Sequence, residues 1–392
     1  MNGPLRRSPI GQPIPASTLL AAALALCVPR PSARAEDSVA YKFENYREED
    51  GRITVETQSS SVSQHVGANG QISLTGTIDA VSGASPTGRP APAGSSQVEL
   101  TEISSRRKAW DGDFAEQIGR VNVDAGFAES RERDYVSFGW TVNTLTDFNE
   151  KNTTLRAGLA GTYDRVEVLF EPAYLPKHTR SAIVGVTQVL DPLTFVTVNV
   201  TVSGANGYLA EPYKIVEKSI QIFPGVFLQE AFGENSPSER GSESVYASVN
   251  RALPRLLGAV EASYRLYSDS YGIVAHTLSV SWLQHVGPRL VLEPSVRYYL
   301  QSAARFYYYN LDSTSIIPTR KPTGAGPYYT SDFRLSAEED YTYGLKATVK
   351  VADRTELVAS YDRYVMSGRD GVTPASAYPR AGIATLGARY TW

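Results

Sequence analysis

Cysteine occurs once in 392 residues, as Cys27, so no disulfide can form within the chain. Long apolar runs are equally scarce: the one candidate, from Leu19 to Val28, falls short of the roughly 20 residues a membrane-spanning helix needs. Hydrophobic residues make up 42% of the chain and the mean hydropathy is negative, too low for a helical membrane protein. A surplus of positive charge is missing too. Lys and Arg number 38 against 41 Asp and Glu, a formal net charge of −3, which argues against nucleic acid as a partner. The four histidines, His65, His178, His276 and His285, are scattered, with no HExxH and no His/Cys cluster, so no metal is expected. No glycine-rich phosphate loop is present, and no cofactor is expected.

What the chain does have begins at its amino-terminus. Arg6 and Arg7 precede the apolar run, Pro29 and Pro31 close it, and Ala33-Arg34-Ala35 offers an A-x-A cleavage site before Glu36. This predicts a cleaved secretory signal peptide over 1–35 and a mature chain over 36–392. Cys27 invites a lipoprotein reading, but Leu26 is a poor fit to the small residue that lipid attachment needs.

At the other end, Ala384, Leu386, Ala388, Tyr390 and Trp392 share one face of a strand and Thr385, Gly387, Arg389 and Thr391 the other. The pattern set by Thr385, Gly387, Tyr390 and the terminal Trp392 resembles the signal by which the outer-membrane assembly machinery recognises barrel proteins. The same period-two alternation recurs along the chain. Leu290, Leu292, Pro294, Val296, Tyr298 and Leu300 oppose Arg289, Glu293, Ser295, Arg297 and Gln301, and 341–351, 260–267 and 196–203 behave alike. No helix has that period.

With weaker candidates included, strands are predicted at 39–48, 51–65, 70–81, 98–109, 118–130, 133–147, 152–164, 180–190, 193–206, 243–253, 256–268, 272–286, 289–301, 340–351, 355–366 and 380–392. The count is 16, with a range of 12 to 16 because 98–109 and 180–190 are weak. The fold class expected is all-β: an antiparallel transmembrane β-barrel. Placing the carboxy-terminus in the periplasm puts short joins such as Gly67-Ala68-Asn69, the 110–117 stretch and Gly287-Pro288 on one side. Long outer loops near 82–97, 165–179, 207–242, 302–339 and 367–379 fall on the other, as in bacterial barrels. Pro294 removes a ladder donor and predicts a bulge or an end to pairing. A soluble β-sandwich would also alternate, but its strands are usually shorter, and 24 tyrosines suit interfacial girdles better.

Several phrases carry a family resemblance: Asp79-Ala80-Val81-Ser82-Gly83-Ala84-Ser85-Pro86, Glu132-Arg133-Asp134-Tyr135, Asn152-Thr153-Thr154-Leu155, the run from Arg297 to Tyr307, and the run from Tyr329 to Ser336. They resemble domain of unknown function 3570 (DUF3570), a family of predicted Gram-negative outer-membrane β-barrels. The resemblance implies location and fold, and no activity comes with it.

The polar faces place Arg120, Asp124, Arg156, Glu261, Arg265, Glu293, Arg297, Lys346, Lys350, Glu356, Asp362 and Arg389 in the lumen, where a charge needs water or an opposite charge. A wet, charged pore that screens solutes is one reading; a salt-bridged network stiffening a plugged barrel is the other. The tyrosines of 302–339 and 207–242 either form a ligand platform, fold inward as a constriction, or pack the loops. His276 with Ser279 and His178 with Ser181 are the nearest approach to a catalytic pair, but three residues apart on a strand they point to opposite faces, and no enzyme is expected. The expectation is an outer-membrane, porin-like channel for small hydrophilic solutes, with outer-membrane lipid and the assembly machinery as partners and no nucleic acid. The alternative is a non-conducting scaffold or anchor for a surface or periplasmic partner; a barrel-embedded hydrolase is the third.

Overall fold

The computed structural model describes residues 37–392 apart from 87–94, 96, 169–172, 211–213, 313, 320 and 322. The signal-peptide segment 1–35 and most of the 82–97 loop thus lie outside the described residues. The strands are β1 (Ser38–Glu48), β2 (Thr54–Val66), β3 (Gly70–Pro86), β4 (Leu100–Ile118), β5 (Val121–Arg131), β6 (Tyr135–Phe148), β7 (Thr153–Glu167), β8 (Tyr174–Asp191) and β9 (Thr194–Gly207). There follow β10 (Ile215–Phe223), β11 (Val226–Gly233), β12 (Glu239–Leu253), β13 (Gly258–Asp269), β14 (Val274–Val286), β15 (Leu290–Gln301), β16 (Glu338–Ala352), β17 (Thr355–Gly368) and β18 (Arg380–Thr391).

Sixteen of these close into an antiparallel barrel in which each strand pairs with its sequence neighbours, except that β9 pairs with β12 and β18 closes on β1. Closure leaves no sheet edge, so every wall strand is paired on both sides. The alternation read from the sequence is what the wall uses. Tyr341, Tyr343 and Leu345 of β16, Leu278 and Val280 of β14, and Leu386 and Tyr390 of β18 are exposed on the outer surface. Lys346, Ser279 and Arg389 project to the inside by the same period. An apolar outer surface of this kind is what a bilayer takes.

Joins at one end are short. Gly119 and Arg120 link β4 to β5, Asp353 and Arg354 link β16 to β17, and Asn149–Lys151 and Pro254–Leu256 are single 3-10 turns. Three readings are corrected here. The 110–117 stretch is no turn but the second half of β4, which runs on to Ile118 because Asp111 and Asp113 keep the alternation against Trp110 and Phe114. The 207–242 segment is not all loop, since β10 and β11 form a hairpin outside the wall. Pro294 neither ends the pairing nor shifts its register: Ser281 pairs Ser295 and Gln284 pairs Leu292, with only the intervening pairs missing.

Buried apolar clusters gather at the long-loop end rather than at mid-barrel. Val216, Leu311 and Tyr329 form one, drawn from β10 and the segment after β15. Val98, Phe333, Met366, Ala377 and Tyr378 form another, which joins the 3-10 turn Phe333–Leu335 to the inner face of β17. The described residues of 208–238 and 302–337 are therefore a packed cap.

Candidate functional site

Asn235 locks that cap. It is 0% exposed, and its Nδ2 donates to the carbonyls of Ala325 (2.7 Å) and Pro327 (2.8 Å). Its Oδ1 accepts from the amides of Thr323 (3.0 Å) and Gly324 (3.2 Å), which uses the whole hydrogen-bonding capacity of the amide. Glu234 accepts from the Thr330 hydroxyl (2.5 Å) and the Asp332 amide (3.1 Å), and Ser331 donates to the Ile215 carbonyl. Asp332 holds Arg334 at 2.6 Å. Burial alone would push the Asp332 carboxyl up, but the Arg334 guanidinium and Lys214 bring it below the usual carboxylate value.

Below the cap lies a cavity of about 1060 Å³ lined by Phe333, Arg334 and Glu338 and by residues of β1 to β7, β17 and β18. Its wall includes Lys42, Glu44, Asp79, Arg107, Asp111 and Asp124. The cations here come already paired: Arg107 with Asp79, Lys42 with Glu44 at 3.2 Å, and Arg52 at the rim with Glu48 at 2.8 Å. Several polar inner side chains lie flat over a glycine on the neighbouring strand. Asp113 covers Gly126, Asn143 covers Gly158, Asn199 covers Gly185 and Asp362 covers Gly344, each pair directly opposite in the ladder. A missing Cβ on one strand makes room for an acid or amide on the next, and the lumen stays wider than its side chains alone would leave it.

The residues singled out from the sequence fall as follows. Asp124 lines the cavity and accepts from Asn143 Nδ2 at 3.2 Å. Arg156 is buried and reaches Asn143 Oδ1 at 3.5 Å. Glu293 and Lys346, opposite each other on β15 and β16, form an ion pair at 2.5 Å. Glu261 sits opposite Ser281, one strand from that pair. Arg265 lies over the Tyr267 ring (5.9 Å) and Arg297 over the Tyr299 ring (5.3 Å). Near the short-turn end Lys350, Glu356 and Arg389 stand side by side on β16, β17 and β18. Arg120 does not reach the lumen: it is exposed in the β4–β5 turn, its guanidinium 4.8 Å from the Phe148 ring, because β4 extends past its predicted end. At the carboxy-terminus Tyr390 and Trp392 stack outside the wall at 6.1 Å, while Thr385 and Gly387 lie on the other face.

His276 faces outward, its Nδ1 2.6 Å from the Tyr264 hydroxyl, away from Ser279; Ser181 bonds Ser203, and His178 meets the Tyr163 ring edge-on. Among the described residues no group of three or more His, Cys, Asp or Glu is placed to hold a metal. Sequence reasoning missed Arg107, Asp111, Asp113 and Glu338 as inner residues. The signal was Asp111 and Asp113 alternating with Trp110 and Phe114, masked by the outward charges Lys108 and Glu116.

A family model described as protein of unknown function (DUF3570) matches residues 15–178 and 171–374. No curated protein matches the chain. Among solved structures, CdiB from Acinetobacter baumannii superposes with a TM-score of 0.50 at 7% identity, over 92% of this chain and 61% of that one. The siderophore receptor PirA from Pseudomonas aeruginosa gives 0.43 at 11% identity, over 92% and 62%. The CymD monoaromatic hydrocarbon channel gives 0.43 at 8%, over 92% and 89%. The chain spans less than two thirds of the length of the siderophore receptors it matches. Likeness at these identities is a likeness of barrel fold alone.

Proposed function

We propose a function from the premise that this chain belongs to the DUF3570 family of proteins of unknown function: it is an outer-membrane barrel that passes small hydrophilic solutes through a charged lumen narrowed by its own cap. The observation that carries this reading is the inner wall. Sixteen strands usually leave a channel, and here the polar inner face is kept open by glycines opposite its acids and amides, above which a cavity of about 1060 Å³ remains. A stiffening network would fill that space with side chains. Tyr390 and Trp392, outside the wall, serve as the mark for assembly into the membrane.

The test is single-channel recording in planar bilayers with protein extracted from outer membranes. Discrete steps are expected. Arg297→Ala with Lys346→Ala removes two inner cations and leaves Glu293 unpaired, so ion preference shifts toward cations. A correctly folded, heat-modifiable barrel that gives no steps overturns the reading. The buried bonds of Asn235 and Glu234 favour a second one, a barrel sealed by its cap that anchors a partner, and it predicts the silent bilayer.

A further inference from the structure

We infer that the cavity beneath the cap is a binding site for a small organic cation, an ammonium or quaternary ammonium group on a short apolar body. This names a solute class for the proposed pore and rests on that reading only for the route by which the solute arrives.

Three independent observations converge. The first is charge left over after pairing. Arg107, Lys42 and Arg334 each hold a carboxylate of their own, whereas Asp111, Asp113, Asp124 and Glu338 line the same cavity with no ion-pair partner among the described residues. The second is Glu338 itself. It is 4% exposed, and its Oε2 accepts no hydrogen bond. The charged groups facing it are Asp340 on its own strand and Asp332 and Arg334 from the cap, and Arg334 is already committed to Asp332. A carboxyl so placed holds either a proton or a cation.

The third is the surroundings. Tyr46, Phe333 and Tyr364 line the cavity with Ile53, Val81 and Met366. Tyr46 donates to Glu48 and Tyr364 to Asp340, each at 3.0 Å, so both hydroxyls are tied down and the rings are fixed. Aromatic faces beside a carboxylate attract an organic cation, whose weak hydration makes its transfer from water cheap. A hard metal ion would need a cage of converging oxygens, and no such group exists among the described residues.

The test is calorimetric titration of the detergent-solubilised full barrel with choline chloride, at constant ionic strength, beside sodium chloride and sodium acetate. Saturable choline binding is expected, with none for acetate. Glu338→Gln keeps the shape and removes the carboxyl that gives up its proton to a bound cation; its binding weakens about tenfold or more while heat-modifiable migration is unchanged. Asp113→Asn, at the far wall, weakens it less. No saturable binding to a folded wild-type barrel, equal binding of acetate, or full binding in folded Glu338→Gln each overturns the inference. Choline binding by a barrel silent in bilayers sinks the pore and keeps the site, whereas steps without choline binding sink the site and keep the pore.

Discussion

Gly126 and Gly344 occupy equivalent positions, each beneath an inward aspartate, yet a methyl group added at the two has different consequences. At Gly126 the new Cβ meets the ends of Asp113 and of Thr141, the latter at 2.8 Å. Both are side-chain tips that can swing into the lumen. At Gly344 it meets Asp362 and also the Tyr361 carbonyl oxygen at 2.7 Å, which is backbone inside a ladder and cannot yield alone. Gly344→Ala is therefore expected to destabilise the barrel by about 1–3 kcal/mol and Gly126→Ala by less than about 1 kcal/mol. Urea midpoints read from the heat-modifiable band separate them, and equal midpoints would refute the distinction. Gly126→Ala should nevertheless lower conductance, because Asp113 is displaced into the path.

Among the elements, β18 allows folding and delivery to be told apart. Trp392 is 45% exposed, stacks on Tyr390, and keeps its backbone bond to Asp37 (3.0 Å) whatever its side chain. Trp392→Ala should thus refold in detergent with nearly wild-type yield while its level in outer membranes falls severalfold; an equal fall in both assays would make Trp392 a stability residue instead. The wall strands were legible because one face meets an apolar phase and the other water, which writes period two into the chain. Where that contrast fails, reading failed. Lys108 and Glu116 on the outer face hid the second half of β4, although Asp111 and Asp113 carried its inner side. The hairpin of β10 and β11 turns at Pro224-Gly225 between Ile222-Phe223 and Val226-Phe227-Leu228, with Phe223 68% and Phe227 62% exposed. Apolar on both faces near its tip, it has no alternation to find. The inner charges of β13 to β18 could be named from the sequence. The cavity could not, because it forms where Phe333 and Arg334 lie over strands far from them in the chain.

The whole molecule is a wall and a cap held by different forces. The wall is a closed ladder in which every strand has two partners; the cap is a small core whose segments are tied by a few fully buried polar side chains. The two meet through Tyr208 and Ala210 against Tyr135 and Val166, and through Ala304 and Phe306 against Tyr271, Ile273 and Ala275, but no rung of the closed ladder runs through the cap, so the cap should loosen without the wall. Asn235 is where to test this, since among the described residues no other side chain of the cap joins so many backbone groups of the partner segment. Asn235→Ala leaves two carbonyls and two amides without their partner, at about 1–3 kcal/mol for each group that finds neither water nor another partner. That is enough to open a segment of this size but not a sixteen-strand barrel. Limited proteolysis is then expected to cut the variant within 302–337 while the heat-modifiable barrel persists, and bilayer steps should become larger and noisier. If the cap alone seals the barrel, the wild type is silent and the variant conducts; if the cap only narrows it, both conduct and the variant more. A variant that resists protease like the wild type would show that Val216, Leu311 and Tyr329 hold the cap by packing alone.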